Sequence, residues 1–324
     1  MKIVIAGGSG HLGSALAQAC YQRGDQVVVL SRQPMPAPWS VVGWDGRSGG
    51  DWEREIDGAD VVVNLAGRSV NCRYTTANCG AILASRIDST LAVAAAIARA
   101  AEPPPVWLQA STATIYAHRF DGDNDEHGPL GGSETGTPPS WRFSTAVGRA
   151  WEAAADAARV PRTRVVLMRS AIVLGPSPGG IFEVLLDLVR RGLGGPVGSG
   201  RQYVSWIHVR DWLAAIDRLI ADGGFRGPVN LAAPHPLPNA AFMRALREAW
   251  GMPIGLPAPG AVLALGTRLL RTESELVLKS RRVVPGILLA RGFAWEFTDW
   301  PAAARDLCAQ VRAREDVRQS LVSA

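Results

Sequence analysis

Glycines stand at positions 7, 8, 10 and 13 of this chain. Gly8, Gly10 and Gly13 fit G-x-G-x-x-G, and Gly7, Gly10 and Gly13 fit the related spacing with two residues in each gap. Such a pattern handles a pyrophosphate: one glycine makes a tight turn, one lets the backbone approach the phosphates, and one lets a helix pack on a strand. The loop residues Gly7, Gly8, Ser9, Gly10, His11, Leu12 and Gly13 are therefore candidate cofactor contacts. A second chemical signal lies at Ser31 and Arg32. An NAD site places a carboxylate at about this distance past the glycines, to bond the ribose 2′-hydroxyl. A guanidinium in its place is shaped to grip a 2′-phosphate, with no carboxylate to repel it. The chemistry favoured is NADP (NADPH) binding; the plainer reading of Arg32 is a solvated surface arginine.

The elements around these residues are the ones such a site needs. Residues 2–6 (KIVIA) read as a buried parallel strand, and the residues after the glycines carry apolar groups at helical spacing, Leu12, Leu16, Ala19 and Cys20. A second strand at 27–32 completes a βαβ unit, and WSVVGWD (39–45) reads as a third strand. DVVVNLAG (60–67) is a fourth, which sets Leu65, Ala66 and Gly67 beside the cofactor, because ligands of open α/β sheets sit outside the strands' carboxyl ends. A helix at 85–101 ends before Pro103-Pro104-Pro105, and VWLQAS (106–111) is a fifth strand running into Ser111, Thr112 and Tyr116.

Composition sets outer bounds. With 324 residues and 47% hydrophobic content the chain can bury a large core. The net charge of +5 is carried by scattered arginines, Lys2 and Lys279 being the only lysines, so no nucleic-acid partner is expected. Cys20, Cys72, Cys79 and Cys308 have neither disulfide-framework nor metal-ligand spacing, and no metal is expected. No signal peptide is apparent and the apolar stretch Ala258 to Leu265 is too short for a bilayer, so no membrane partner and a cytoplasmic location are expected.

The segments GGSGHLG, NLAG and STATIY, in that order, resemble the extended short-chain dehydrogenase/reductase superfamily. SRIDST (85–90), residues 194–211, residues 227–242 and the RRVVPGILLARGFAWEF ending (281–297) resemble more narrowly an epimerase-like subfamily, labelled nucleoside-diphosphate-sugar epimerase or cell-division-inhibitor-like. The resemblance covers essentially the whole chain. It implies a Rossmann-type doubly wound parallel sheet with a smaller, mostly helical C-terminal substrate lobe. The dinucleotide-binding domain is expected over 1–178, with 203–232 returning to it, and the second lobe over 179–202 and 233–324.

The superfamily's reaction uses a Tyr and a Lys four residues apart on the helix after the fifth strand, the Tyr moving a proton while hydride passes to or from nicotinamide. Here none of Tyr21, Tyr74, Tyr116 and Tyr203 has that lysine, and the helix at 141–158 puts Ser144 and Gly148 at the two positions. Candidate catalytic groups are Thr112, aligned with the superfamily's Ser/Thr, with Ser111 and Tyr116 close in sequence. The structural alternatives are a strand-end cap for Thr112 and a packed aromatic for Tyr116. The diphosphate-binding arginine of sugar-nucleotide members is replaced by Val204; Arg201, Gln202, Trp206 and His208 are the candidate substrate contacts, His208 reading more naturally as a structural hydrogen bonder than as a base.

The acidic, glycine-rich segment 119–140 reads as a mobile lid. A sixth strand and its exit are expected over 163–175, helices over 179–195, 236–251 and 300–314, and helix caps at Asp211, Asn239 and Gly251. The leading functional reading is an NADP-dependent oxidoreductase or epimerase acting on a small polar molecule, as monomer or homodimer. A non-catalytic NADP-binding redox sensor and a protein-binding scaffold are the alternatives.

Overall fold

The structure, a computed structural model, describes residues 1–134, 137–258 and 278–322. The chain groups into two compact units. Unit 1 comprises Met1–Ile115, Leu130–Ser170 and Leu213–Asn230, and unit 2 comprises Tyr116–Pro129, Ala171–Trp212 and Leu231–Ala324.

Unit 1 is built on a seven-stranded sheet. Its strands are β1 (Lys2–Ala6), β2 (Gln26–Ser31), β3 (Ser40–Gly43), β4 (Val61–Asn64), β5 (Val106–Thr112), β6 (Arg164–Ser170) and β10 (Gly227–Leu231), in the order β10-β6-β5-β4-β1-β2-β3. All pairings from β3 across to β6 are parallel. The direction of winding reverses between β1 and β4, the switch point at which a doubly wound sheet leaves room for a ligand at its carboxyl edge. Continuous β-branched runs explain the strands: Ile3, Val4 and Ile5 of β1 and Val61, Val62 and Val63 of β4 are buried on both faces.

Helices α1 (His11–Gln22), α2 (Thr76–Arg99) and α3 (Pro139–Asp156) flank the sheet. The sequence reading started α2 at residue 85, but the helix begins at Thr76, where the Thr75 hydroxyl accepts from Asn78 N–H (3.3 Å) and fixes the N-terminus. Among the described residues α2 is the one helix long and apolar enough to cross a membrane by length and composition; its Ile82, Val93, Ala96 and Ile97 are core residues of unit 1.

In unit 2 the expected sixth-strand exit is a separate strand, β7 (Ile172–Leu174), paired in parallel with β9 (Trp206–His208). β8 (Tyr203–Val204) pairs antiparallel with β11 (Leu237–Pro238). Helices α4 (Ile181–Arg190), α6 (Asn239–Trp250), α7 (Gly286–Ala290) and α8 (Trp300–Val322) belong to this unit, and α5 (Val209–Ala221) runs from unit 2 into unit 1. Phe242, stacked on Trp300 with ring centroids 4.2 Å apart, centres a core that includes Phe182, Leu186, Trp206 and Leu307. Gly251 ends α6 in the left-handed conformation (φ 80°), as expected of a C-cap.

Three expectations need correction. Asn239 is the first residue of α6 and does not cap it; its Oδ1 accepts from Val197 N–H at 2.9 Å. Asp211 lies inside α5, which begins at Val209, and its carboxylate accepts from the N–H groups of Glu296 (2.7 Å) and Phe297 (3.0 Å). The first half of the supposed lid is anchored within unit 2. Asn124 N–H donates to Arg282 O (2.7 Å), Val284 N–H donates to Asn124 O (3.0 Å), Asp123 pairs with Arg282 (2.6 Å), and Glu126 accepts from Ile287 N–H (3.1 Å). Acidic residues looked like solvated loop in the sequence because their partners lie some 160 positions away. The apolar stretch beginning at Ala258 lies outside the described residues from position 259 onward.

Candidate functional site

The glycine loop lies where β1 meets α1. Gly7 N–H donates to Leu30 O (2.9 Å), and Gly7 has φ +77°, a conformation that side chains disfavour. A Cβ on Gly7 would also lie 2.7 Å from Ala66 Cα, and one on Gly13 would lie 2.5 Å from Gly8 Cα and 2.7 Å from Gly7 O. Internal packing thus dictates these two glycines. Gly10 differs: a Cβ there meets only Gly7 O at 3.6 Å, an ordinary contact. Helix α1 starts directly after Gly10 with no side-chain cap and no acidic residue in its first turn. Its N-terminal dipole and first-turn N–H groups are therefore unmet by any side chain among the described residues.

At the end of β2, Ser31 is buried and its hydroxyl donates to Ser9 Oγ (3.0 Å) while accepting from Gln33 N–H (3.2 Å), which joins the strand end to the glycine loop. Arg32, next in sequence, is exposed and has no hydrogen bond or ion pair among the described residues.

The end of β4 is shaped by an amide pair that sequence reading missed. Asn64, fully buried, donates through Nδ2 to Gln109 Oε1 (2.9 Å) and accepts from Ala66 N–H through Oδ1 (3.0 Å). This turn sets Leu65, Ala66 and Gly67 beside the glycine loop, since Gly7 abuts Leu65 and Ala66. The SRIDST segment in α2 holds the far side of the turn. Ser85 accepts from Arg68 N–H (2.9 Å), Arg86 Nη1 donates to Arg68 O (3.1 Å) and Ile82 O (3.0 Å), and Thr90 Oγ1 accepts from Trp151 Nε1 (3.1 Å). The Arg86 guanidinium lies 4.9 Å above the Trp151 ring and has no carboxylate partner among the described residues. Burial pushes its pKa down to about 10, with the Tyr74 phenol opposing that shift.

The candidate catalytic residues separate. Ser111 donates to Glu152 Oε1 (2.5 Å), and Glu152 is paired with Arg169 (2.7 Å). That buried triad ties α3 to β5 and β6 and takes up the Ser111 hydroxyl. Thr112 is half-buried; its Oγ1 accepts from Thr114 N–H (3.1 Å), which leaves the hydroxyl proton available to a ligand. Tyr116 is 2% exposed and belongs to unit 2. Ser144 and Gly148 share one face of α3. A Cβ on Gly148 would lie 3.3 Å from Thr112 Cγ2 and 3.2 Å from Ile115 Cβ, so α3 packs too closely on the β5 exit for a longer side chain to enter without displacement. Tyr74, from the segment before α2, brings its hydroxyl to 3.5 Å from Ser144 Oγ and packs edge-on against Phe143.

In unit 2, the residues read as substrate contacts are mostly interior. Gln202 is buried and donates to Val197 O (2.9 Å), and Trp206 is fully buried and donates to His235 O (3.4 Å). His208 Nδ1 accepts from Arg210 N–H (3.1 Å), so Nε2 carries the proton toward Asp306 Oδ2 (3.1 Å). Burial lowers the His208 pKa to about 4 against the pull of Asp306, so the ring is neutral near pH 7. Arg201 alone of the four is exposed. Among the described residues no cluster of His, Cys, Asp or Glu is arranged to hold a metal ion. An open depression lined by Asp156, Arg159, Pro161, Thr163 and Arg226 lies at the amino end of β6, away from the glycine loop.

With this geometry in hand, the comparisons are decisive at the family level. The model of the NAD-dependent epimerase/dehydratase family matches residues 3–232. The chain belongs to that family. A domain of unknown function, DUF1731, matches residues 258–307. The cattle epimerase family protein SDR39U1 is 35% identical over 315 residues, covering 95% of this chain and all of the relative. Among solved structures, human epimerase family protein SDR39U1 (isoform 2) with NADPH superposes with a TM-score of 0.82 at 31% identity, over 95% of this chain and 99% of that one. The nucleoside-diphosphate sugar epimerase from Corynebacterium glutamicum gives 0.73 at 27% identity, over 99% of this chain and 64% of that one. The Rossmann-type sheet expected from the sequence is the fold these family members share.

Proposed function

We propose that the protein binds NADP(H) at the carboxyl edge of the unit 1 sheet and exchanges hydride with a small polar substrate beside Thr112. The observation that carries this is the pairing of an uncapped α1 N-terminus at Gly10 with an unpartnered Arg32 at the end of β2. No steric contact among the described residues calls for glycine at position 10, whereas a pyrophosphate lying against that backbone does. Arg32 has five N–H donors free for a 2′-phosphate, and Ser31 fixes the strand end that presents it. The NADPH in the human relative supports the same choice.

When bound, the nicotinamide supplies the hydride chemistry. The chain's own part is positional. Gly7, Gly13 and the Asn64–Gln109 pair shape the loops, Ala66 and Gly67 would border the bound cofactor, and the Thr112 hydroxyl would donate to a substrate oxygen. Ser111 is not a chemical participant in this scheme; with Glu152 and Arg169 it fixes the helix that faces Thr112.

The test is isotope transfer. With deuterated NADPH and a panel of polar aldehydes and ketones, mass spectrometry should find deuterium on the carbon of an alcohol product, and Thr112→Val should lower its yield about 10-fold or more. Protein saturated with NADPH that labels no member of a broad panel would contradict hydride exchange.

A further inference from the structure

The unit 1 site has a hydroxyl to orient a substrate, but the helix position that would carry a phenol holds Ser144, and the cation position holds Gly148. Gly148 supplies no side chain, and even a Cβ there would press on Thr112 and Ile115 at 3.2–3.3 Å. What fills the neighbourhood comes from the other side. The segment after β4 carries Tyr74 across to α3, where the ring is fixed edge-on to Phe143 (centroids 5.1 Å apart) and the hydroxyl is 3.5 Å from Ser144 Oγ. Ser144 stands one helical turn from Gly148 on the same face of α3, about 6 Å farther out along the axis. The Tyr74 hydroxyl is thus held against the α3 residue one turn away from the glycine that packs on Thr112. Arg86 completes the group. Its guanidinium is stacked on Trp151, which is on the same α3 face as Ser144 and Gly148, and two of its N–H contacts are to carbonyls, with no carboxylate partner among the described residues.

We propose that Tyr74 is the proton-transfer residue of this site, with Arg86 as the positioning cation that stabilises its phenolate, the two together replacing the absent Tyr-x-x-x-Lys pair. This rests on the proposed function and assigns the proton step within it. In the reducing direction a hydride from the reduced nicotinamide adds to the carbonyl carbon, and the C=O π pair takes the proton from Tyr74 Oη. The products are an alcohol, oxidised NADP and a phenolate, which regains a proton from water. In the oxidising direction the phenolate takes the alcohol proton.

The other charged groups nearby are committed elsewhere or exposed. Arg68 is bonded to Asn78 Oδ1 (2.8 Å), Arg142 from α3 to Thr137 O (3.1 Å), and Arg73 is exposed. Arg86 is thus the cation whose removal should be felt by the phenol.

The experiment is a pH titration of the tyrosinate absorbance band, taken as the difference between wild type and Tyr74→Phe, and repeated in Arg86→Gln and Arg86→Lys backgrounds. Tyr74→Phe keeps the ring that packs on Phe143, so the fold is preserved. The expected result is a Tyr74 transition that rises by about one pH unit or more in Arg86→Gln and is largely restored in Arg86→Lys. A transition at the same pH in all backgrounds would overturn the proposal. With an active carbonyl substrate, Tyr74→Phe should lower kcat about 100-fold or more while NADPH affinity stays within about twofold; an unchanged kcat would equally overturn it. Failure of the wild type to bind NADPH in calorimetry would instead defeat the proposed function, and is seen without reference to Tyr74.

Discussion

The loops at the carboxyl edge of unit 1 and the strand β9 region of unit 2 are both rich in polar groups, yet they use them in opposite ways. In unit 2, Gln202, Trp206, His208 and Asp211 each have an internal partner, and all four are buried. In unit 1, Arg32, Arg86 and the first turn of α1 carry positive charge or dipole that no carboxylate among the described residues neutralises. A buried polar group must be satisfied, so a satisfied one reports architecture. Positive groups left over report something else, a call for negative charge: from an outside anion at Arg32 and the α1 N-terminus, and from the Tyr74 phenolate at Arg86. The difference separates residues that build the protein from residues that would bind.

The sharpest way to break that distinction is to strip the buried Ser111–Glu152–Arg169 network of unit 1. Arg169→Met leaves Glu152 without its cation and should destabilise unit 1 by about 3–5 kcal/mol in urea unfolding, with Arg169→Met/Glu152→Gln recovering much of the loss. Equal stability of the single variant and wild type would mean the triad does not hold α3.

The glycines offer a paired comparison. Gly13→Ala must push against Gly8 Cα and Gly7 O and should cost about 1–3 kcal/mol, measured by the same unfolding curve. Gly10→Ala, which meets no clash but places Ala at the N-cap, should cost about 1 kcal/mol or less, yet weaken NADPH binding about 10-fold or more. If Gly10→Ala leaves affinity intact, the glycine at that position is not there for a phosphate.

A smaller effect is expected from His208. Its folded pKa of about 4 lies below the ordinary 6.5, so the folded state resists a proton that the unfolded chain accepts. The resulting contribution to stability is present in full above about pH 6.5 and is lost as pH falls toward 4. His208→Gln, which cannot take the charge, should flatten the Tm-versus-pH curve in that window and leave NADPH affinity within about twofold. A base needed for turnover would behave differently, altering the activity profile near neutral pH.

Much of unit 1 was legible because its signals are local. The run KIVIA, the glycine spacing, and the position of Ser31 and Arg32 lie within 32 residues, and periodicity with turn chemistry is enough to read them. Long-range partnerships were not legible. Tyr74 comes from an irregular segment, and only the tertiary fold brings its hydroxyl to Ser144. Asn64 looked like one more residue at a strand end until Gln109 met it. Asp and Asn both favour caps, the role the sequence suggests for Asp211 and Asn239, but each accepts instead from a backbone N–H distant in sequence. The acidic segment 119–140 misled for the same reason, since Arg282 and Ile287 are its partners.

The central claim is that the unpartnered Arg32 selects NADP, and calorimetry of NADPH and NADH on wild type and Arg32→Ala tests it most directly. The account predicts tight NADPH and weak NADH binding by wild type. In the variant, NADPH affinity should fall about 10- to 100-fold while NADH is nearly unchanged. Equal affinities for the two cofactors in wild type, or an Arg32→Ala variant that keeps the preference, would contradict it.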